Sequence, residues 1–255
     1  MPVSSIPSQT RDRSFAAERA SLAAAFRWAA RLNWHEGIAN HFSLAVSDDG
    51  GQFLMNPAGR HFSRMRASEL LLLDADDRDV MNRPNPPDRT AWCIHGAMHR
   101  QVPGARCILH VHPKFATVLS TLEDSQMPPI DQNTMRFFNR VSIDNGFDGM
   151  GLGDEAERLT TTLGDNSILI MGNHGVMAVG ETIAKAFDEL YYFERACETY
   201  ITALMTGKPL RVVSDAVAEK TAQQWQDYIH RVGLGAAFLS EIRVILDREE
   251  PDYRL

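Results

Sequence analysis

The stretch Cys107-Ile108-Leu109-His110-Val111-His112-Pro113 is an apolar run of strand length closed by a proline, and it carries two histidines two residues apart. Alternate residues of a strand face opposite sides of a sheet, so His110 and His112 share one face while Val111 turns to the other. One rigid element thereby offers two imidazoles side by side. Imidazole suits zinc and most first-row divalent ions, and a catalytic site ordinarily takes three protein ligands and leaves a position open. The best third ligand is His174, in Ile170-Met171-Gly172-Asn173-His174-Gly175-Val176, where flanking glycines make a tight reversal between two apolar strands. An H-x-H pair alone is more often a pair of hydrogen-bonded structural histidines than a metal site, so the motif by itself does not decide for a metal.

Upstream, Ala91, Ile94, His95, Met98 and His99 are spaced to share one face of a helix over about 90–100, entered from the loop Asn82-Arg83-Pro84-Asn85-Pro86-Pro87-Asp88. A short helix around 67–70 feeds a buried strand at 71–73. Strands over 42–46 and 52–55, joined by Ser47-Asp48-Asp49-Gly50-Gly51, read as a hairpin. Phe15, Leu22, Phe26 and Ala29 recur at helical spacing with Arg19, Arg27 and Arg31 at polar positions, which predicts an amphipathic helix to about Leu32. Downstream, strands are expected near 141–143, 167–171 and 176–179. A long helix follows over 183–205, with an inner stripe of Ile183, Phe187, Leu190, Ile201 and Leu204, and two shorter helices over 216–229 and 236–246. Residues 1–12, rich in Ser and Pro, read as a flexible arm, and 13–255 as a single mixed α/β domain.

With 255 residues and 44% hydrophobic content, the chain can bury a substantial core. A net charge of −7 argues against nucleic acid or an anionic membrane surface as partner, because both demand a basic face. A small molecule is the better default. Cys93, Cys107 and Cys197 are far apart and odd in number, which points to a reducing cytoplasm rather than a disulfide framework. No segment approaches the roughly 18 uninterrupted apolar residues of a membrane span, and the N-terminus is too polar for a signal peptide.

His95-Gly96-Ala97-Met98-His99, Val102-Pro103-Gly104-Ala105 and the His110-Val111-His112-Pro113 run together resemble the central motif of the class II aldolase/adducin family. Asn173-His174-Gly175-Val176 and Val179-Gly180-Glu181-Thr182, ahead of a long helix, are similar to its second motif. Asn40-His41-Phe42-Ser43, Asn56-Pro57-Ala58-Gly59 and Ser68-Glu69-Leu70 match its N-terminal pattern more loosely, so the resemblance runs over about 15–210. It implies a three-layer α/β/α sandwich with a mainly antiparallel central sheet, assembled as a homotetramer. It also implies a divalent metal on His110, His112 and His174. Zinc is the first expectation, with manganese, iron, cobalt or nickel as alternatives. The ion would act as a Lewis acid and electron sink while a carbon-carbon bond breaks.

The chain also departs from the family. Its sugar-phosphate aldolases carry a general acid/base glutamate four residues before the histidine matched by His95, and here that position is Ala91. Losing a positioned acid/base costs on the order of 100- to 10,000-fold in rate, so conventional aldol chemistry is disfavoured. The phosphate-contacting hydroxyls are depleted as well, with Asp88-Arg89-Thr90 and Pro57-Ala58-Gly59 in their places. Candidates for the missing catalytic group are His95 and Asp131, with His41 and His61 behind them. Candidate substrate contacts are Asn40, Ser43, Gly59 and Arg136, the last as partner to a carboxylate.

The expected function is a divalent-metal-dependent lyase working by decarboxylation or retro-aldol cleavage on a small, non-phosphorylated carbonyl compound or hydroxy acid. Decarboxylation needs an electron sink but no base to start bond breaking, and so tolerates Ala91 better. The alternatives are a non-catalytic adducin-like interaction domain and a non-haem metal oxygenase on the same scaffold.

Overall fold

The alternation of Cys107, Leu109 and Val111 against Ile108 and His110 prepares one strand to be covered on both faces, and both faces are covered. The structure is a computed structural model describing residues 14–149 and 154–255; the expected N-terminal arm lies outside the described residues. These residues build one seven-stranded sheet and eight α-helices. The strands are β1 (His41–Ala45), β2 (Gln52–Met55), β3 (Leu71–Asp74), β4 (Cys107–Val111), β5 (Val141–Asp144), β6 (Ile168–Met171) and β7 (Gly175–Gly180). Their order across the sheet is β3-β2-β1-β4-β7-β6-β5, and every pair is antiparallel except β5 with β6.

One face carries the larger core. Phe42, Leu44, Leu109, Val111, Ile168, Ile170, Val176 and Ala178 meet α1 (Ala16–Arg31), α6 (Ile183–Met205) and α8 (Leu234–Glu249) there. The other face presents Ile108, Leu169, Met171, Met177 and Val179 to Ile94 and Met98 of α2 (Arg89–Gln101) and to Leu159 and Leu163 of α5 (Glu155–Leu163). Because side chains alternate, His41, Ser43 and His110 fall on this second face, beneath α2. The antiparallel register places His41 directly opposite His110 and Ser43 opposite Ile108.

Local signals explain where the elements begin. Asp88 caps α2 by accepting the Ala91 N–H at 2.9 Å, and Thr182 caps α6 by accepting the Lys185 N–H at 3.1 Å. α1 stops at Asn33, whose φ of 56° takes the left-handed turn that ends a helix.

Three helices escape the sequence reading: α3 (Lys114–Ser120), α4 (Gln132–Arg136) and α5. α3 and α4 are too short to show a helical period, and α5 follows a glycine-rich run. Two other expectations are corrected. Arg19 and Arg27 are buried rather than polar surface positions, and Arg27 is paired with Glu250 at 3.1 Å and Asp252 at 3.0 Å from the far end of the chain. The buried stripe of α6 stops at Ile201, and Leu204 is 41% exposed. α7 (Asp215–Val232) lies against α4, where Trp225 Nε1 donates to the Gln132 carbonyl at 3.1 Å. Among the described residues, no helix is long and apolar enough to cross a membrane.

Candidate metal centre

β4 carries His110 near its end, and His112 follows just beyond it, its backbone N–H donating to the Trp34 carbonyl at 3.2 Å. His174 sits in the three-residue reversal joining β6 to β7, after Asn173 at a φ of 56°, and its N–H closes the turn on the Met171 carbonyl at 3.0 Å. One ring nitrogen from each of His110, His112 and His174 lies within 4.8 Å of the others. The ring centroids are 4.8 to 5.0 Å apart. Gly175 makes this approach feasible, since a Cβ there would stand 2.5 Å from Cδ2 of His112 and 2.9 Å from the Val111 carbonyl oxygen.

The chemistry of this donor set fits a divalent ion. His110 Nδ1 donates to the Val176 carbonyl at 3.1 Å, leaving the lone pair on Nε2, which faces His112 Nε2 at 3.2 Å. Two imidazoles about 2.0–2.1 Å from a tetrahedral ion would place their nitrogens at nearly that separation. A backbone carbonyl holding the remote ring nitrogen is the usual way a ligating histidine is oriented. Burial, reinforced by neighbouring imidazoles, holds His174 at about 4 and His110 well below its ordinary value, and burial lowers His112 as well. All three therefore stand as neutral donors near neutral pH.

The triad opens on a cavity of about 400 Å³. Ile94, Met171 and Met177 form an apolar wall, while Asp88, Glu155 and Asn40 bring polar groups to it. Among the described residues no lysine or arginine lines this cavity. Asn40 Oδ1 accepts the Glu36 N–H at 2.5 Å, which assigns Nδ2 as the donor end, and Nδ2 is buried with no partner among the described residues. Asn56 fixes this corner by accepting from the Phe42 N–H and donating to the Asn40 carbonyl, both at 3.2 Å.

The remaining sequence candidates fall elsewhere. His95 is fully buried behind His41 and does not reach the cavity. Ser43, also fully buried, sits between His95 and His99 and does not line the cavity. Asp131 caps α4 by accepting the Thr134 N–H at 2.8 Å. Arg136 is fully buried, bonded to Asp188 at 2.6 Å and Glu189 at 2.9 Å, with its guanidinium 4.6 Å from the Tyr192 ring centre. Gly59 occupies a turn at a φ of 72°, and His61 pairs with His35 at 2.8 Å; neither lines the cavity. Ala91 leaves no gap, because it packs among Phe53, Met55, Leu73 and Val80. Sequence reasoning missed Asp88 and Glu155 as cavity groups. Asp88 could have been found from its place as the cap after Pro86-Pro87, whereas Glu155 carries no such signal.

Comparison with known proteins agrees with this architecture. The model of the class II aldolase and adducin N-terminal domain matches residues 20–201. An aldolase II superfamily protein from Pseudomonas syringae superposes with a TM-score of 0.84 at 31% identity, over 94% of this chain and 96% of that one. The decarboxylase NovR of Streptomyces niveus is 26% identical over 236 residues, 87% of each chain. Human beta-adducin is 29% identical over 194 residues, 74% of this chain but 26% of the adducin.

Proposed function

This chain belongs to the class II aldolase and adducin family, and from that premise we propose that it is a divalent-metal-dependent carbon-carbon lyase. Its substrate is a small, non-phosphorylated hydroxy acid or related carbonyl compound that carries a carbonyl next to the carbon at which the bond breaks, so that decarboxylation or retro-aldol cleavage leaves the electron pair as an enolate. The observation that carries this reading is the convergence of three neutral imidazoles on a cavity that no lysine or arginine lines among the described residues.

His110, His112 and His174 would hold a divalent ion, which when bound would supply Lewis acidity and a sink for the charge that develops as the bond breaks. The protein's own groups do the rest. Asn40 Nδ2 offers an unused donor to a substrate oxygen, and making that bond removes the cost of a buried orphan donor. Ile94, Met171 and Met177 exclude water from one side and favour an apolar substituent. A phosphate would find no lysine or arginine on the described walls to balance its second charge. The absence of a glutamate at Ala91 favours decarboxylation, which starts without proton abstraction. The decarboxylase among the relatives supports the same choice. We further take the protein to be a cytoplasmic homotetramer with zinc as its first ion.

The likeness to beta-adducin favours a second reading, a binding module without chemistry. One experiment separates the two. Protein loaded with zinc, manganese or iron is incubated with a panel of hydroxy and keto acids, with and without oxygen, and carbon dioxide and aldehyde are measured. A lyase releases one of them anaerobically and loses that release in the His110→Ala, His112→Ala double variant. Strict dependence on oxygen would identify an oxygenase, and silence across the panel would favour the binding module.

A further inference from the structure

Behind the triad runs a buried chain of hydrogen bonds whose direction is set at its far end. His99 Nδ1 lies 2.7 Å from the Ala105 carbonyl oxygen, His99 Nε2 lies 2.7 Å from Ser43 Oγ, Ser43 Oγ lies 2.5 Å from His95 Nδ1, and His95 Nε2 lies 2.8 Å from His41 Nδ1. A carbonyl oxygen only accepts, so His99 carries its proton on Nδ1. With Nε2 bare, it accepts the single Ser43 hydroxyl proton. Ser43 Oγ in turn accepts from His95 Nδ1–H, and His95 Nε2 accepts from His41 Nδ1–H. The opposite polarity would set a bare His99 Nδ1 against the carbonyl oxygen at 2.7 Å, two lone pairs facing each other. Burial keeps the three rings neutral, holding His41 and His99 at about 4 and His95 well below its ordinary value.

His41 alone of the three imidazoles lines the cavity, its ring centre 4.8 Å from that of His110, and its Nε2 has no hydrogen-bond partner among the described residues. We infer that His41 meets the cavity as the Nδ1–H tautomer with Nε2 as a fixed hydrogen-bond acceptor, so that the site selects ligands with a hydroxyl beside the metal-binding carboxylate, α-hydroxy acids over α-keto acids. A ligand hydroxyl can donate to this nitrogen, whereas a keto oxygen meets it lone pair to lone pair. Asn40 Nδ2, one residue earlier in the chain, is the complementary donor for the carboxylate. His41 is thus a specificity-determining residue, and His95, Ser43 and His99 are positioning residues behind it. The hydroxy-acid preference rests on the metal-dependent reading of the site; the tautomer does not.

Two measurements test this. Nitrogen-15 NMR of histidine-labelled protein, assigned by single replacements, reads which nitrogen of His41 bears the proton in the metal-free and the zinc-loaded states. Calorimetry on the zinc-loaded protein compares mandelate with phenylglyoxylate, which share the phenyl ring and carboxylate and differ at the α-carbon, a hydroxyl in one and a keto oxygen in the other. The expected result is Nδ1–H on His41 and mandelate bound about 3- to 10-fold more tightly, the increment of one neutral hydrogen bond. His99→Phe removes the anchor and frees the Ser43 hydroxyl to donate to His95, so His41 should become Nε2–H and the preference should vanish or reverse. Ser43→Ala, a smaller change, should mix the two His41 tautomers and reduce the preference while zinc content stays at the wild-type level. Nε2–H on His41 in the unaltered protein, zinc bound directly to His41 Nε2, or equal affinity for the two acids in zinc-loaded protein would each overturn the inference. Failure to bind zinc would instead defeat the metal reading, and the tautomer in the metal-free protein would still decide the assignment of His41.

Discussion

An alanine methyl at position 175 would sit 2.5 Å from Cδ2 of His112, so the small residue after His174 also determines where His112 can lie. β4 and β7 are neighbours in the sheet, with Val111 opposite Val176. The glycine that begins β7 is therefore the surface on which the His112 ring rests. Gly175→Ala should push that ring off the triad and strain the edge of the β4–β7 pairing, because the methyl would also stand 2.9 Å from the Val111 carbonyl oxygen. Zinc affinity is expected to fall by about 10- to 100-fold, the range for groups that orient a ligand, with little change in the circular dichroism spectrum. Unchanged affinity would detach His112 from the metal.

Ala91 is fully buried among Phe53, Met55, Leu73 and Val80. Ala91→Glu, which restores the residue of the sugar-phosphate aldolases, should therefore create no such aldolase. A larger, charged side chain would be forced into an apolar cluster, at a cost of roughly 3 kcal/mol or more. Chemical denaturation measures the loss. A stable variant that cleaves sugar phosphates would show that the helix can turn this position to the cavity.

Arg136 is the shared ion-pair partner of Asp188 and Glu189 in the interior, where burial raises the Asp188 carboxyl even with the guanidinium beside it. Arg136→Met should destabilise the protein by about 3–5 kcal/mol, because the two carboxylates lose their partner. Metal content should not change. A substrate-binding arginine would behave the opposite way, with normal stability and a raised KM.

His41 and His99 are held at about 4 against an ordinary value of 6.5, chiefly by burial. The unfolded chain takes up protons that the folded one refuses, so the stability they contribute is complete above pH 6.5 and is lost as pH falls toward 4. Each group accounts for on the order of 3 kcal/mol across that window. Glu194, raised to about 7 mainly by burial, works in the other direction, and its contribution is lost as pH rises from 4.5 through 7. With seven depressed imidazoles against three raised carboxyls, Glu155, Asp188 and Glu194, the urea midpoint of the metal-free protein should fall between pH 6.5 and 5. A midpoint that is flat or rises on acidification would contradict the neutral interior.

The strands and long helices were legible because their signals are local. Cys107 to Val111 alternates, Thr182 and Asp88 stand where helices start, and α6 repeats its apolar residues along 23 positions. The meeting of His110, His112 and His174 was legible too, because a two-residue spacing and a glycine-flanked turn each aim a side chain. What stayed hidden depends on register and on distant partners. His41 faces His110 only through the pairing of β1 with β4, and Ser43 is kept off the cavity wall because α2 covers it with His95 and His99. Arg27 reads as a surface residue until Glu250 and Asp252, more than 220 positions away, are brought beside it.

The metal content of protein purified without chelator or added ion tests the central claim most directly. Mass spectrometry of the unaltered chain should find close to one divalent ion per protomer. The His110→Ala, His112→Ala double variant should be folded and metal-free. An unaltered protein that is empty and takes up no zinc, manganese, iron, cobalt or nickel on titration would contradict the metal centre and the lyase built on it.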